Sequence, residues 1–354
     1  MRSIGSEFEW TPLIGGPTNA LPIQRILFLL GRHAIVAAAR ECLGFGRRLW
    51  LPQYFCSHTT EAISATGIPT AIYVDHPLRN EPDWSTLQPS PGDAVLFVNY
   101  FGVRGQEAFL AWQEAHRHVA AIEDHSHDPF SAWAHQSRAA FAIASLRKTI
   151  PIPDGGMLWS PAMRRLPSEP RPGAFTGSGL KLAAMIYKRD YLLAAAEDES
   201  LFQAMRRLQT AGDEALSEEP ISSISPWSFE YIHRGVSANL RVQREENVRL
   251  FVEAAQRVIC SSSDFQLGFA SWPEGHCPFN PLLVFRDEYS RQLCKNHLVA
   301  NRVYAAIHWP GQAGIPAADG GLEYLLTIPL DFRCSAEIVR RVLDVLEAFT
   351  RRPH

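Results

Sequence analysis

The chain has 354 residues, and its 34 lysines and arginines nearly balance 37 aspartates and glutamates. That length suggests two packed domains, or one large α/β domain with an appendage, and 46% apolar against 20% charged residues excludes a disordered or fibrous chain. The near-neutral balance argues against general nucleic-acid binding, which needs a clustered excess of Lys and Arg, so an anionic ligand must be held by local geometry.

Arg2, Glu7 and Glu9 interrupt the first ten residues before any apolar run, so no signal peptide is read there. Ile23 to Leu43 is the most apolar stretch, but Arg25, Arg32, His33, Arg40 and Glu41 break it, and no membrane span is expected. After Gly31-Arg32-His33, residues Ile35, Ala38, Ala39, Cys42 and Leu43 fall on one face of a helix, which Gly44 and Gly46 end. Strands are expected at 49–51, 70–75, 94–98, 119–122 and 139–144, with helices near 58–65 and 106–116. Short apolar strands separated by helices read as a mostly parallel sheet covered on both faces. Pro161, Pro167, Pro170 and Pro172 mark a surface connection, helices resume over 178–210, and a long amphipathic stretch runs from Tyr231 to Val258. Strands near 281–285, 302–307 and 325–328 and helices near 287–299 and 334–349 complete a smaller α+β layer. Six scattered cysteines (Cys42, Cys56, Cys260, Cys277, Cys294 and Cys334) form no Cys-x-x-Cys pair and read as reduced thiols.

In parallel sheets ligands bind at the carboxyl ends of the strands. Here those ends carry Asn99-Tyr100-Phe101-Gly102, then Glu123-Asp124-His125-Ser126-His127-Asp128, then Ser145-Leu146-Arg147-Lys148. An acid after one strand and a lysine after the next match the needs of pyridoxal phosphate. A carboxylate keeps the pyridinium protonated as an electron sink, and a lysine forms an imine with the aldehyde and later shuttles the proton. Three features add to this pair. Ser145 lies three residues before Lys148, Gly155-Gly156 allow close backbone approach, and Gly31-Arg32-His33 opens a helix whose free N–H groups form an anion site. His116, His118, His125 and His127 crowd around one strand, but no Cys or carboxylate triad with zinc-like spacing accompanies them, so no metal is expected. Cys56-Ser57-His58 reads as packing.

Together these segments, with Leu51-Pro52 and Thr59-Thr60-Glu61-Ala62-Ile63, resemble the DegT/DnrJ/EryC1/StrS sugar aminotransferases of the fold-type I pyridoxal phosphate superfamily. The resemblance runs from about residue 24 to 350. It implies a large cofactor-binding domain over 1–235 and a smaller α+β domain over 236–354. It makes Lys148 the Schiff-base lysine and Asp124 the partner of the pyridine nitrogen. His127 takes the place of the Gln that contacts the cofactor's phenolic oxygen, and Gly31-Arg32-His33 matches the phosphate-binding turn, where Arg32 can add a charge-assisted contact. The family's stacking aromatic falls on Cys56. Either Tyr54 or Phe55 supplies that face from a shifted position, or the face is softer than usual. Asn99 and Ser145 complete the expected cofactor shell, and Trp309 and Arg333 are expected to meet substrate. The family's phosphate Ser lies five residues before its lysine rather than three. Its Asn-Tyr-Arg segment, through which a neighbouring subunit reaches the cofactor, is replaced near Ile221-Ser222-Ser223-Ile224-Ser225. The expected activity is a cytoplasmic, homodimeric aminotransferase that takes nitrogen from an amino donor, by resemblance glutamate, to a nucleotide-linked keto sugar for polysaccharide or antibiotic assembly. Rival readings are a sugar dehydratase, whose members replace the lysine with His, and a non-catalytic scaffold of the same fold; a metal hydrolase ranks last.

Overall fold

The computed structural model describes residues 3–11, 17–194, 198–259, 265–309, 314–316 and 321–351; Arg2, Cys260 and Pro310 lie outside them. The chain separates into two compact units. One comprises Glu7–Ala238 and Glu274–His276, the other Met1–Ser6, Asn239–Pro273 and Cys277–His354. A single linear boundary after residue 235 does not describe this, because Ile4–Gly5 pairs in parallel with Val303–Tyr304 and so belongs with the C-terminal unit.

The larger unit is built on a seven-stranded sheet. Its strands are β1 (Arg25–Phe28), β2 (Leu49–Pro52), β3 (Thr70–Tyr73), β4 (Ala94–Val98), β5 (Ala120–Asp124), β6 (Phe141–Ser145) and β7 (Gly156–Trp159), in the spatial order β1-β7-β6-β5-β4-β2-β3. β7 runs antiparallel to both its neighbours, and the remaining pairs are parallel. β1 was not expected as a strand, because its four residues sit inside a longer apolar run that reads equally well as helix. β4 is buried along its whole length, as a strand covered on both faces must be.

On one face, Phe97, Val95 and Trp50 pack with Phe109 and Trp112 of α3 (Glu107–Ala115) and with Trp133 of the short α4 (Ala132–Gln136). On the sheet's other side, α1 (Gly31–Cys42) packs along β6 and β7 through Ala34, Ile35, Ala38 and Ala39. α2 (Ser57–Ala65) follows β2. Beyond the sheet, α5 (Thr176–Leu193) and α6 (Glu199–Glu218) form a tight hairpin, in which a Cβ at Gly212 would come within 2.8 Å of the Lys181 side chain. The long amphipathic stretch from Tyr231 to Val258 falls on two helices, the end of α7 (Pro226–His233) and most of α8 (Asn239–Ile259), with Gly235 at φ +100° between them.

The smaller unit has a four-stranded sheet of β8 (Phe265–Leu267), β9 (Leu282–Phe285), β10 (Ile315–Pro316) and β11 (Leu322–Thr327), in the order β8-β9-β11-β10. α8, α9 (Glu288–Ala300) and α10 (Ala336–Thr350) cover it through Phe251, Val252, Leu298, Val342 and Leu346. Among the described residues no helix is long and apolar enough to cross a membrane.

Candidate active site

Because β1, β4, β5 and β6 run parallel, their carboxyl ends share one edge of the sheet. β5 ends at Asp124, which is buried, and β6 ends at Ser145. A 3₁₀ turn over Leu146–Lys148 then brings the lysine back toward β5. The return to β7 at the same edge is pinned by backbone bonds from Leu146 N–H to the Gly155 carbonyl (2.8 Å) and from Gly155 N–H to the Leu29 carbonyl (2.8 Å). A longer excursion would carry the lysine away from Asp124.

The side chains at this edge are ordered by a chain of hydrogen bonds. Asp124 Oδ1 accepts from Ser126 N–H at 2.8 Å, and Ser126 Oγ accepts from Ser145 N–H at 2.8 Å. Ser126 thus ties the ends of two neighbouring strands together, a role that sequence reading missed although the residue lies inside the stretch it singled out. His127 Nδ1 accepts from the backbone N–H of Phe101 at 2.9 Å, and its Nε2 lies 3.3 Å from Lys148 Nζ. Phe101 adopts φ 54°, ψ 10°, an unusual backbone for a bulky residue. Its ring lies nearly parallel to that of His127, with centroids 5.5 Å apart.

Lys148 is half-buried. Burial holds its ammonium below the ordinary lysine value; Asp124 and then Cys56 oppose the shift, and Arg147 adds to it.

At the start of α1 the N-cap residue Leu30 supplies no side-chain hydrogen bond, so no side chain caps the first turn there. Gly31 sits against Ser145 so closely that a Cβ would come within 2.9 Å of the serine Cβ, and a Cβ on Gly156 would come within 2.3 Å of the Leu30 carbonyl oxygen. These glycines let the helix end meet the end of β6. The buried Nε of Arg147 has no hydrogen-bond partner, and as an N–H donor it suits an anionic occupant, whereas the His33 ring already bonds the Glu219 backbone. Burial and the neighbouring Arg32 push His33 down to about 4.

Other expected residues fall differently. Arg32 donates from Nη2 to the Leu216 carbonyl at 2.7 Å, where it satisfies an otherwise orphaned acceptor in the last turn of α6. Cys56 caps α2 without a side-chain bond, and Tyr54 and Phe55 before it are buried, the Tyr54 carbonyl accepting from the Tyr100 hydroxyl. Asn99 is buried at the end of β4. Its Nδ2 donates to Ser131 Oγ and its Oδ1 accepts from Arg104 N–H, each at 3.4 Å. The segment Ile221–Ser225 lies along β1, with Leu29 N–H donating to the Ser222 carbonyl and Ile224 N–H to the Leu27 carbonyl. Buried Asp154 anchors it by accepting from the Ser225 N–H and hydroxyl and from the Ser228 hydroxyl.

Trp309 and Arg333 belong to the C-terminal unit. Arg333 holds Asp331 through two bonds, at 2.8 and 2.7 Å, so its guanidinium is engaged by its own neighbour. Trp309 stands at φ 55°, its ring 5.9 Å from that of His308. The histidines around β5 go to separate partners: His116 to the Trp112 carbonyl, His125 to Glu123, and His127 to Phe101 and Lys148.

No protein-family model matches the chain, and no curated protein matches it. Solved structures do. A Streptococcus pneumoniae protein named as a sugar aminotransferase, in its PMP form, is 14% identical, with 92% of this chain and 87% of that one covered at a TM-score of 0.58. A DegT/DnrJ/EryC1/StrS aminotransferase from Brucella abortus is 14% identical, with 93% and 86% covered at 0.52. A serine palmitoyltransferase from Sphingomonas wittichii is also 14% identical, with 92% and 72% covered at 0.51. The chain has the fold these proteins share, an α/β unit with a mostly parallel sheet and a smaller α+β unit. Because enzymes of different reactions share that fold, it does not assign a reaction.

Proposed function

We propose that this chain binds pyridoxal 5'-phosphate at the carboxyl edge of the larger sheet and works as an aminotransferase. The observation that carries this reading is the placement of Lys148 and Asp124. A lysine with a destabilised ammonium follows one strand, a buried carboxylate ends its neighbour, and His127 Nε2 lies 3.3 Å from the lysine amine. When bound, the cofactor supplies an electrophilic aldehyde and a ring that withdraws electrons. Lys148 Nζ would attach it and, once released, take the proton from the donor's α-carbon and deliver it elsewhere than to that carbon, as amino transfer requires. Asp124 would hold the proton on the ring nitrogen. The first-turn amides of α1 and the Ser145 hydroxyl would take the phosphate, which fits the missing side-chain cap and the close approach of Gly31 to Ser145.

The donor in this reading is glutamate and the acceptor a nucleotide-linked keto sugar, acted on by a cytoplasmic homodimer; sequence resemblance supports these finer terms. Adding pyridoxal 5'-phosphate to the purified protein should produce a visible absorption band, and borohydride should fix the cofactor's mass on Lys148. Glutamate should discharge the band. A protein that stays colourless and unlabelled refutes the reading. Cys56, standing where the family places an aromatic, favours a second reading in which the fold holds cofactor without turnover. A band that no amino acid alters would select it.

A further inference from the structure

We propose that His127 is a positioning residue for Lys148: Phe101 N–H fixes the imidazole tautomer so that Nε2–H faces the lysine amine and holds it in its neutral, nucleophilic form. The inference rests on the assignment of Lys148 above but concerns a contact within the protein, present without cofactor.

A backbone N–H is a donor and nothing else, so the bond from Phe101 N–H at 2.9 Å requires His127 Nδ1 to be the acceptor. In a neutral imidazole the proton then sits on Nε2. That N–H points at Lys148 Nζ, 3.3 Å away. An ammonium there would face a donor with its own donors; a neutral amine offers a lone pair and completes the bond. The ring is held from two directions, by the N–H of Phe101 and by the nearly parallel Phe101 ring. Phe101 lies in the turn just past β4, with an unusual backbone at φ 54°, and its N–H meets a side chain from the loop after β5.

The charged and titratable groups facing Lys148 come from two further elements and from its own turn. Asp124 at the end of β5 and Cys56 at the head of α2 favour the ammonium, while Arg147 on the same turn disfavours it. His127 is the member of this set that acts through a directed hydrogen bond to the amine.

The test is the pH dependence of Lys148 acylation by acetic anhydride in the intact protein without added cofactor, read by peptide mass spectrometry. In the native chain the labelling midpoint should lie below that of an ordinary lysine, ~10.4. His127→Phe keeps a flat ring beside Phe101 but loses Nε2–H. It should raise the midpoint and cut Lys148 labelling at neutral pH by about tenfold, the worth of one hydrogen bond. His127→Gln, whose amide can accept from Phe101 N–H and donate to the amine, should restore labelling. An unchanged midpoint in a folded His127→Phe protein overturns the proposal. If that variant does not fold, nitrogen NMR of the native imidazole decides: a proton on Nε2 supports the proposal, and a proton on Nδ1 overturns it. Neither readout depends on cofactor binding, so failure of the proposed function and failure of this contact are told apart.

Discussion

Two lysines of the larger unit show how burial can lead to opposite ends. Lys181 on α5 is fully buried and donates to Glu7 at 2.5 Å and Asp213 at 2.8 Å, so it is paired with two carboxylates. Lys188, a helix-turn pair further along, donates to the Glu7 carbonyl. Together they strap the segment around Glu7 onto α5, where Trp10 N–H also bonds the Met185 carbonyl at 3.0 Å. Lys148 meets an imidazole nitrogen instead, and burial disfavours its charge. A saturated cation makes structure; an under-compensated one is prepared to react. The pair Asp75–Arg104 belongs with Lys181: both residues are buried, and the guanidinium takes both carboxylate oxygens at 2.6 and 3.0 Å, the Val98 and Arg79 carbonyls, and two aromatic rings at 5.0 Å.

The comparison breaks if substitutions at the two kinds of site have the same consequences. The largest separation is expected for Lys148→Met. It should lower transamination by at least about 10⁴-fold, because no other group at this edge can replace a nucleophilic amine, while leaving the thermal midpoint unchanged or raised. Arg104→Met should do the reverse, leaving Asp75 buried without its counter-charge and costing about 4 kcal/mol in denaturant titration. Lys181→Met should cost less, about 2 kcal/mol, since Glu7 and Asp213 are partly open to water, and its cofactor absorption band should match the native one. Normal stability in either cation variant, or a lost band in Lys181→Met, removes the distinction.

The smallest effect is graded with pH. His33 titrates near 4 in the folded protein and near 6.5 when unfolded. The unfolded chain therefore binds the extra proton between these values, and stability falls as pH drops through that window. From pH 7 to pH 6 the loss should be about 0.7 kcal/mol, and His33→Gln should flatten that part of the profile.

The parts of this site legible in the sequence are those set by local pattern. Apolar runs predicted β4, β5 and β6, and residues just past such runs must lie at one edge, so Asp124, His127, Ser145 and Lys148 could be placed before any contact was known. Partnerships across the chain were not legible. The engagement of Arg32 by the Leu216 carbonyl depends on where α6 ends, and the closure of Arg333 on Asp331 depends on rotamers rather than spacing. The contact of His127 with Lys148 requires the turn after β6 to double back, which no periodicity encodes. β1 was hidden because four residues inside an apolar run carry no period of their own, and its pairing partner lies beyond residue 155.

That last separation has a consequence for synthesis. β7 sits between β1 and β6, so the strand that leads into α1 has no neighbour in the sheet until Gly156–Trp159 has been made. On the ribosome, β2 to β6 can assemble in order as they emerge, but the first turn of α1 reaches Ser145 only after the chain has passed residue 159. The corner where Gly31 meets Ser145 is therefore one of the last features of this unit to form, closing a loop of more than one hundred residues at an entropic cost that local contacts cannot prepay. A nascent chain arrested before β7 should hold a partial sheet that gives neither the absorption band nor borohydride labelling of Lys148.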